Sequence, residues 1–129
     1  MIALVATVDG PFSVDLESGE LGPSLPFEPD SAPRLNLPRV VGAAQAGSTV
    51  VALLDARPPM LVSYDAGSTW RESGRGLPAG RAVAAAEQDP DTLLYATRNR
   101  LYLSRNGGVF WVALTVELPE IERVALRES

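Results

Sequence analysis

A repeat of about forty residues constrains this chain more than any other feature of its sequence. The dipeptide Leu-Pro occurs at Leu37-Pro38, Leu77-Pro78 and Leu118-Pro119, at intervals of 40 and 41 residues, and each copy precedes a short apolar run. Ser63 in MLVSYDAGSTW is matched 41 residues later by Ser104 in LYLSRNGGVFW. Repeats of about 20 to 50 residues are typical of folds that stack one supersecondary unit several times. The chain is therefore predicted to bury its core between similar units.

Each unit consists of short apolar, β-branched and aromatic runs separated by Gly, Pro, Asp and Asn, which predicts an all-β chain of antiparallel strands. The N-terminal segment fits the same unit without its first strand, since Leu4 aligns with Leu94 and Phe12 with Tyr102. We expect roughly three four-stranded units in a single domain. The first unit, residues 1–36, lacks its inner strand and ends in a proline-rich connection. The second and third units are residues 37–76 and 77–117, and residues 118–129 form a lone inner strand.

Composition excludes several classes of function. The chain has 129 residues, 46% of them hydrophobic, and a formal net charge of −5, so a nucleic-acid-binding surface is not expected. It contains no Cys, His or Lys, which leaves Asp, Glu, Tyr and Ser as the only candidates for catalysis. We expect Asp89 and Asp91 to be turn residues and not a Ca²⁺ site, because two carboxylates alone make a poor one. We expect no metal and no cofactor.

The N-terminal stretch MIALVATVDGPF is apolar but lacks a basic leading region and reaches Asp9 after only eight residues. This is too short for the hydrophobic region of a signal peptide or for a membrane span. We interpret it as a strand, expect no membrane association, and assign a cytoplasmic location by default.

Two eight-residue motifs carry a resemblance to a known family. The pattern S-x-D-x-G-x-T-W is complete in Ser63, Asp65, Gly67, Thr69 and Trp70. A second copy has Ser104, Asn106, Gly108 and Trp111, with Asn in place of Asp and Phe110 in place of Thr. Both resemble the Asp-box of BNR-type β-propeller repeats, as in sialidases. The resemblance implies four-stranded blades, with each box at the outer turn between the third and fourth strands.

The residue types of the motif suit a structural role better than a catalytic one. A short Asp or Asn side chain accepts hydrogen bonds from its own turn, Gly adopts positive φ, and Trp offers a large face for packing. Sialidases, as the resemblance implies, also need an arginine cluster, a Tyr nucleophile with a Glu partner, and an Asp acid across six blades. Because Tyr64, Tyr95 and Tyr102 fall in strands or turns, we expect no catalytic residues. A sialidase-like glycoside hydrolase is the alternative.

Three blades do not close a propeller, which normally has four to eight. The tail, LPEIERVALRES, reads as an inner strand, whereas the head begins at a second strand. Pairing of the tail of one copy with Met1 to Thr7 of another would give a homodimeric six-bladed ring, and would cover the apolar faces that an open half-propeller exposes. The alternative is a fragment that completes a larger heteromeric propeller.

Candidate ligand-binding residues lie in the connections between second and third strands, which gather at one mouth of a propeller together with the connections between blades. The former are Asp9, Asp55, Arg57, Arg98, Asn99 and Arg100, and the latter include Arg39, Arg81, Glu120 and Glu122. This face is predicted to bind a protein, peptide or glycan. Each residue also has a plainer interpretation as a turn former or a solvated charge.

Overall fold

The structure is a computed structural model, and it describes residues 1–128. These residues form eleven strands and no helix, so none of their segments is a helix capable of crossing a membrane. The strands are β1 (Ile2–Thr7), β2 (Gly10–Asp15), β3 (Val40–Ala46), β4 (Thr49–Leu54), β5 (Met60–Ser63), β6 (Arg71–Ser73), β7 (Ala82–Ala86), β8 (Asp89–Ala96), β9 (Arg100–Ser104), β10 (Val112–Glu117) and β11 (Ile121–Arg127).

The strands of the described chain form three antiparallel sheets that correspond to the predicted units. The first sheet has the order β11-β1-β2, the second β3-β4-β5-β6, and the third β7-β8-β9-β10. In the second and third sheets, consecutive strands pair with their sequence neighbours, because short turns return the chain beside itself. The innermost strands are β3, β7 and β11, and β7 contacts both of the others. The arrangement is consistent with propeller-like blades, and the third sheet lies between the other two.

The core consists of two apolar clusters, one on each face of the third sheet. Leu93 and Leu94 of β8 are both fully buried although they are adjacent, because successive side chains of a strand point to opposite faces. Leu94 packs in the cluster shared with the first sheet, which includes Val5. Leu93 packs in the cluster shared with the second sheet, which includes Leu53. Burial on both faces explains the uninterrupted apolar run of β8.

The first sheet differs from the predicted four-stranded unit. It has three strands, and its outer position is reduced to a single bridge between Val14 and Leu21 among the described residues. The motif at this turn has decayed, but Asp15 still accepts hydrogen bonds from Glu17 N at 3.1 Å and Ser18 Oγ at 3.1 Å. Pro23, which has no N–H to donate, follows two residues after the bridge.

The head and the tail of the described chain pair with each other, while their exchange between copies stays a prediction. β11 pairs antiparallel with β1 of its own chain, with Val124 opposite Val5 and Leu126 opposite Ala3. The complementarity of head and tail is therefore satisfied within one chain. Intramolecular pairing is favoured because it does not carry the translational and rotational cost of association. Ser129, the last residue of the predicted exchanged strand, lies outside the described residues.

The proline-rich connection, residues 22–38, forms what we call the strap. Its first half crosses the outer face of the first sheet, the face turned away from the third. Ser13 of β2 donates a hydrogen bond to Pro23 O, and the guanidinium carbon of Arg123 lies 4.7 Å from the centre of the Phe27 ring. Arg127 binds Asp30 at 2.9 Å and Glu28 O at 2.8 Å. The strap therefore reaches from the outer edge of this sheet to its inner strand.

The outer face of the second sheet is also buried, and the second half of the strap is the segment that can account for it. Val50 and Ala52 lie on that face and are only 2% and 0% exposed, although none of the described sheets faces them. Half-buried and exposed residues alternate along the strap, with Pro33, Leu35 and Leu37 half-buried. An extended segment with every second side chain turned inward accounts for the burial. Val50 and Ala52 therefore do not form an exposed apolar patch, although an open half-propeller was expected to expose one.

Candidate functional site

The first turn motif, Ser63–Trp70, is held by hydrogen bonds among its own residues. Ser63 Oγ accepts from Gly67 N at 2.8 Å and donates to Asp65 Oδ1 at 2.7 Å. Asp65 also accepts from Thr69 N at 2.8 Å and Thr69 Oγ1 at 2.6 Å. Ala66 N donates to Ser48 O at 2.9 Å, which docks the turn on the β3–β4 connection. The hydrogen bonds from Thr69 and Ser63 lower the pKa of Asp65 to about 2.

The second turn motif, Ser104–Trp111, has the same geometry with a neutral side chain. Ser104 Oγ accepts from Gly108 N at 2.8 Å and donates to Asn106 Oδ1 at 3.0 Å. Asn106 Oδ1 also accepts from Phe110 N at 3.0 Å. The exchange of Asp for Asn keeps the acceptor for Ser104 Oγ and Phe110 N, whereas the bond that Thr69 Oγ1 donates to Asp65 has no counterpart. An amide can thus take the place of the carboxylate in this turn, which indicates a capping role that needs no proton transfer.

The tryptophan of the second motif joins two sheets. Trp111 Nε1 donates to Ser73 Oγ of β6 at 3.0 Å, and Ser73 donates in turn to Gly108 O at 2.6 Å. The indole lies 6.0 Å from the Tyr95 ring. Tyr64, within the first motif, donates its hydroxyl hydrogen to Gly107 O of the second. These contacts fasten the outer turns of the second and third sheets to each other.

Two of the three tyrosines have hydroxyl groups engaged in structural contacts. Tyr95 is fully buried and donates to Pro78 O at 2.6 Å, and burial raises its pKa to about 12. Gly80 lies against the same ring, where an added Cβ would approach Tyr95 Cε1 to 2.5 Å. A phenol with a raised pKa that is already bound to a carbonyl oxygen is poorly placed to act as a nucleophile.

We call the end of the sheets that carries the predicted ligand-binding residues the loop face. One carboxylate there is paired with two arginines. Glu120 binds Arg81 at 3.3 Å and Arg98 at 3.1 Å, and these two arginines lower the pKa of Glu120. Val8 N donates to Glu120 O at 2.9 Å, so the Asp9 turn lies beside this group. The structure therefore brings the connections of the first and third sheets together at this end, as predicted.

The remaining predicted residues are distributed over the same end. Asn99 Nδ2 donates to Leu118 O at 2.9 Å and so anchors the connection between sheets. Arg100 pairs with Glu117 at 2.7 Å along the β9–β10 pair. Asp55 and Arg57 line a separate hollow between the second and third sheets, together with Arg39, whose O accepts from Asp55 N at 2.9 Å. Glu122 lies on β11 and faces the axis instead of the loop face.

The axial cavity is the part of the site that sequence reasoning did not predict. It has a volume of about 280 Å³ and lies where the inner strands of the three sheets meet the strap. Its walls are small residues of β3 and β7, such as Ala43 and Ala82, and its polar lining includes Arg81, Glu122 and Arg123. Arg81 belongs to both the cavity and the loop-face group. The alternation of apolar and polar residues in the strap was the sequence signal that it packs against the sheets. Its prolines made the segment read as a simple extended connection instead.

The described residues contain no cluster of three or more Asp or Glu side chains that could hold a metal ion. No family model matches the chain, and no curated protein matches it. Among solved structures, the chain is similar to the GH74 enzyme of Niastella koreensis, with 27% identity and a TM-score of 0.49. The match covers 59% of this chain and 11% of that enzyme.

Proposed function

We propose that this chain is a non-catalytic module of BNR-type β-propeller blades that binds an extended peptide segment of a partner protein. The binding site is the axial cavity together with its mouth at the loop face. The observation that carries the proposal is the way the inner strand β11 already holds the strap. An extended, proline-rich peptide segment lies across it, and side chains of β11 recognise its backbone, its acid and its aromatic ring.

Two arginines of β11 supply this recognition. Arg127 donates to Glu28 O at 2.8 Å and pairs with Asp30 at 2.9 Å, and its side chain is half-buried. Arg123 stacks over the Phe27 ring. Arginine suits such sites because its planar guanidinium both donates several hydrogen bonds and stacks on aromatic rings. Proline-rich segments bind at low entropic cost because their extended conformation is already formed.

The cavity beside the strap has room for one or two side chains of a partner peptide. Its volume of about 280 Å³ is near the lower limit of pockets that bind drug-sized ligands. Small side chains on β3 and β7 leave this space open, and Arg81 connects it to the loop-face group that includes Glu120. The mouth therefore offers both signs of charge to the polar part of a peptide.

The charged groups favour binding over hydrolysis. Glycoside hydrolysis by paired carboxyl groups needs one of them held protonated near neutral pH. Asp65 and Glu120 have pKa values that shift downward, because each accepts hydrogen bonds or faces arginine. Asp65 also lies on an outer turn, among the hydrogen bonds that hold the motif together.

Selection from a displayed random-peptide library tests the proposal. Peptides that are enriched on the immobilised protein would be measured by fluorescence polarisation against the wild type and against Ala43→Leu, which fills the cavity. Val109→Thr, a 65% exposed side chain in the second turn motif at the opposite end of the sheets, is the matched control. We expect enriched extended peptides whose affinity falls at least tenfold in Ala43→Leu and is unchanged in Val109→Thr.

Two results would count against this function. One is a folded wild-type protein that enriches no peptide, and the other is equal peptide affinity in the cavity-filling variant. A glycan array probed in parallel separates peptide binding from sugar binding, because retention of oligosaccharides without peptides would assign the site to a different class of ligand.

A further inference from the structure

We propose that a groove on the outer rim, between the first and third sheets, binds the Phe110 side chain of a second copy of this chain, and that two copies associate through reciprocal insertion of Phe110. This rim groove is lined by Leu16, Leu103, Phe110, Val112 and Leu114. It lies at the turn-motif end of the sheets, away from the loop face, so the inference is independent of the proposed peptide site.

The repeat explains why the groove exists. In the contact between the third and second sheets, Trp111 packs over the outermost strand β6 and donates to Ser73. Ser73 aligns with Leu114 of β10, 41 residues later. By the alignment that places Phe12 on Tyr102, the residue that should pack over Leu114 in the same way is Leu21. The first sheet thus carries a leucine where the repeat places a tryptophan.

The structure confirms this correspondence and its consequence. Leu21 forms the bridge to Val14, whose side chain packs against the third sheet, so Leu21 occupies the structural position of the tryptophan. It is nevertheless 51% exposed. A leucine side chain is shorter than an indole, and Leu21 is not among the residues that line the rim groove. The floor, formed by Leu16 and Leu103, is buried, while Val112 on the wall is 64% exposed.

The shape and chemistry of the groove indicate an aromatic occupant. The equivalent groove between the second and third sheets has an indole on its wall, that of Trp111, which lies 6.0 Å from the Tyr95 ring. Phe110 is the most exposed of the large apolar side chains among the described residues, at 72%. It stands where the first motif has Thr69, and nothing in the hydrogen bonding of the turn requires an aromatic ring there, since only its backbone N is bonded to Asn106.

A second copy fits because donor and acceptor lie side by side. Phe110 borders the groove, so a twofold axis next to it lets each ring enter the groove of the other copy in an isologous contact. The mouth carries Arg105 and Glu17, 3.6 Å apart. The same axis places the arginine of one copy opposite the glutamate of the other, which makes the charged border self-complementary.

Sedimentation velocity over a concentration series tests the inference. We expect the wild type to shift reversibly from 13.7 kDa toward twice that mass as its concentration rises. Phe110→Thr, which restores the residue of the first motif, is expected to stay monomeric. Val112→Asp, which places a charge on the exposed wall of the groove, should also prevent dimerisation. Val8→Thr removes a 56% exposed side chain at the other end and should dimerise like the wild type.

Cysteine cross-linking gives a second, independent readout. The sequence contains no cysteine, so a disulfide in a single-cysteine variant can form only between copies. Val112→Cys should give a covalent dimer under mild oxidation, whereas Val8→Cys should not. A wild type that stays monomeric up to about 1 mM would overturn the inference. So would a dimer that persists in Phe110→Thr, which would indicate another contact such as exchange of β11 between copies.

Discussion

Removal of the Ser73 hydroxyl should weaken the attachment between the second and third sheets. Ser73 is 7% exposed, and its Oγ both donates to the buried Gly108 O at 2.6 Å and accepts from Trp111 Nε1 at 3.0 Å. Ser73→Ala leaves the buried Gly108 O without its hydrogen-bond donor and the half-buried Trp111 N–H without its acceptor. A buried polar group left unpaired costs about 1 to 3 kcal/mol. We expect the free energy of unfolding to fall by ~2 kcal/mol.

Equilibrium urea denaturation followed by tryptophan fluorescence measures this change. For a chain of this size, ~2 kcal/mol corresponds to a decrease in Tm of roughly 6 to 10 °C. Trp111→Phe keeps an aromatic ring and removes the N–H, so it forms a double-mutant cycle with Ser73→Ala. The two changes should be less than additive, by about 0.5 to 1.5 kcal/mol. Ser68→Ala, an exposed serine in the first motif, is the control and should change little.

The result that would refute this reasoning is a Ser73→Ala variant within about 0.5 kcal/mol of the wild type, the range of ordinary surface substitutions. Strict additivity in the cycle would also contradict it. In either case the hydrogen bonds through Ser73 would not be what fastens the two sheets, and apolar packing around Tyr95 would account for the contact alone.

Three further predictions concern single groups. Asp65→Asn should lower Tm at neutral pH. Because the pKa of Asp65 is lowered from 3.8 to about 2, the difference in Tm between wild type and variant should be complete above pH 4 and should disappear as the pH falls through about 2. Glu120→Gln should reduce Tm slightly in low salt but not in high salt, because salt screens the exposed ion pairs of Glu120. The difference in Tm between wild type and variant should also vanish in acid, as the Glu120 carboxyl with its lowered pKa becomes protonated. Gly80→Ala should cost about 1 to 3 kcal/mol in chemical denaturation, since its Cβ would meet the buried Tyr95 ring; an unchanged midpoint would show that the ring can move aside.

Much of the fold could be predicted because it is local. Turn residues every few positions and runs with β propensity specify hairpins between sequence neighbours, and these appear as β3 to β6 and β7 to β10. The turn motifs were readable for the same reason, since Ser63 and Ser104 bind partners within four residues. The 41-residue period then indicated how many such units the chain contains.

The candidate site was predictable only in part. That the connections carrying Asp9, Arg98 and Glu120 share one end follows from strand alternation, and the structure brings them together. The axial cavity depends on where residues 27–32 lie relative to three inner strands, which no local pattern specifies. The hydrogen bond between Trp111 and Ser73 spans 38 residues, and its existence depends on how two sheets pack.

The sequence by itself determined the blade-like units, the two turn motifs and the complementarity of head and tail, because hydrogen bonds and side-chain alternation over a few residues decide them. Only the tertiary structure decided that the strap crosses the outer face of the first sheet, that Trp111 reaches Ser73 of the neighbouring sheet, and that Phe110 is left exposed beside the rim groove. These depend on packing between segments distant in sequence. The same local hydrogen bonds are compatible with more than one packing of these segments, so the packing of the whole chain decides between them.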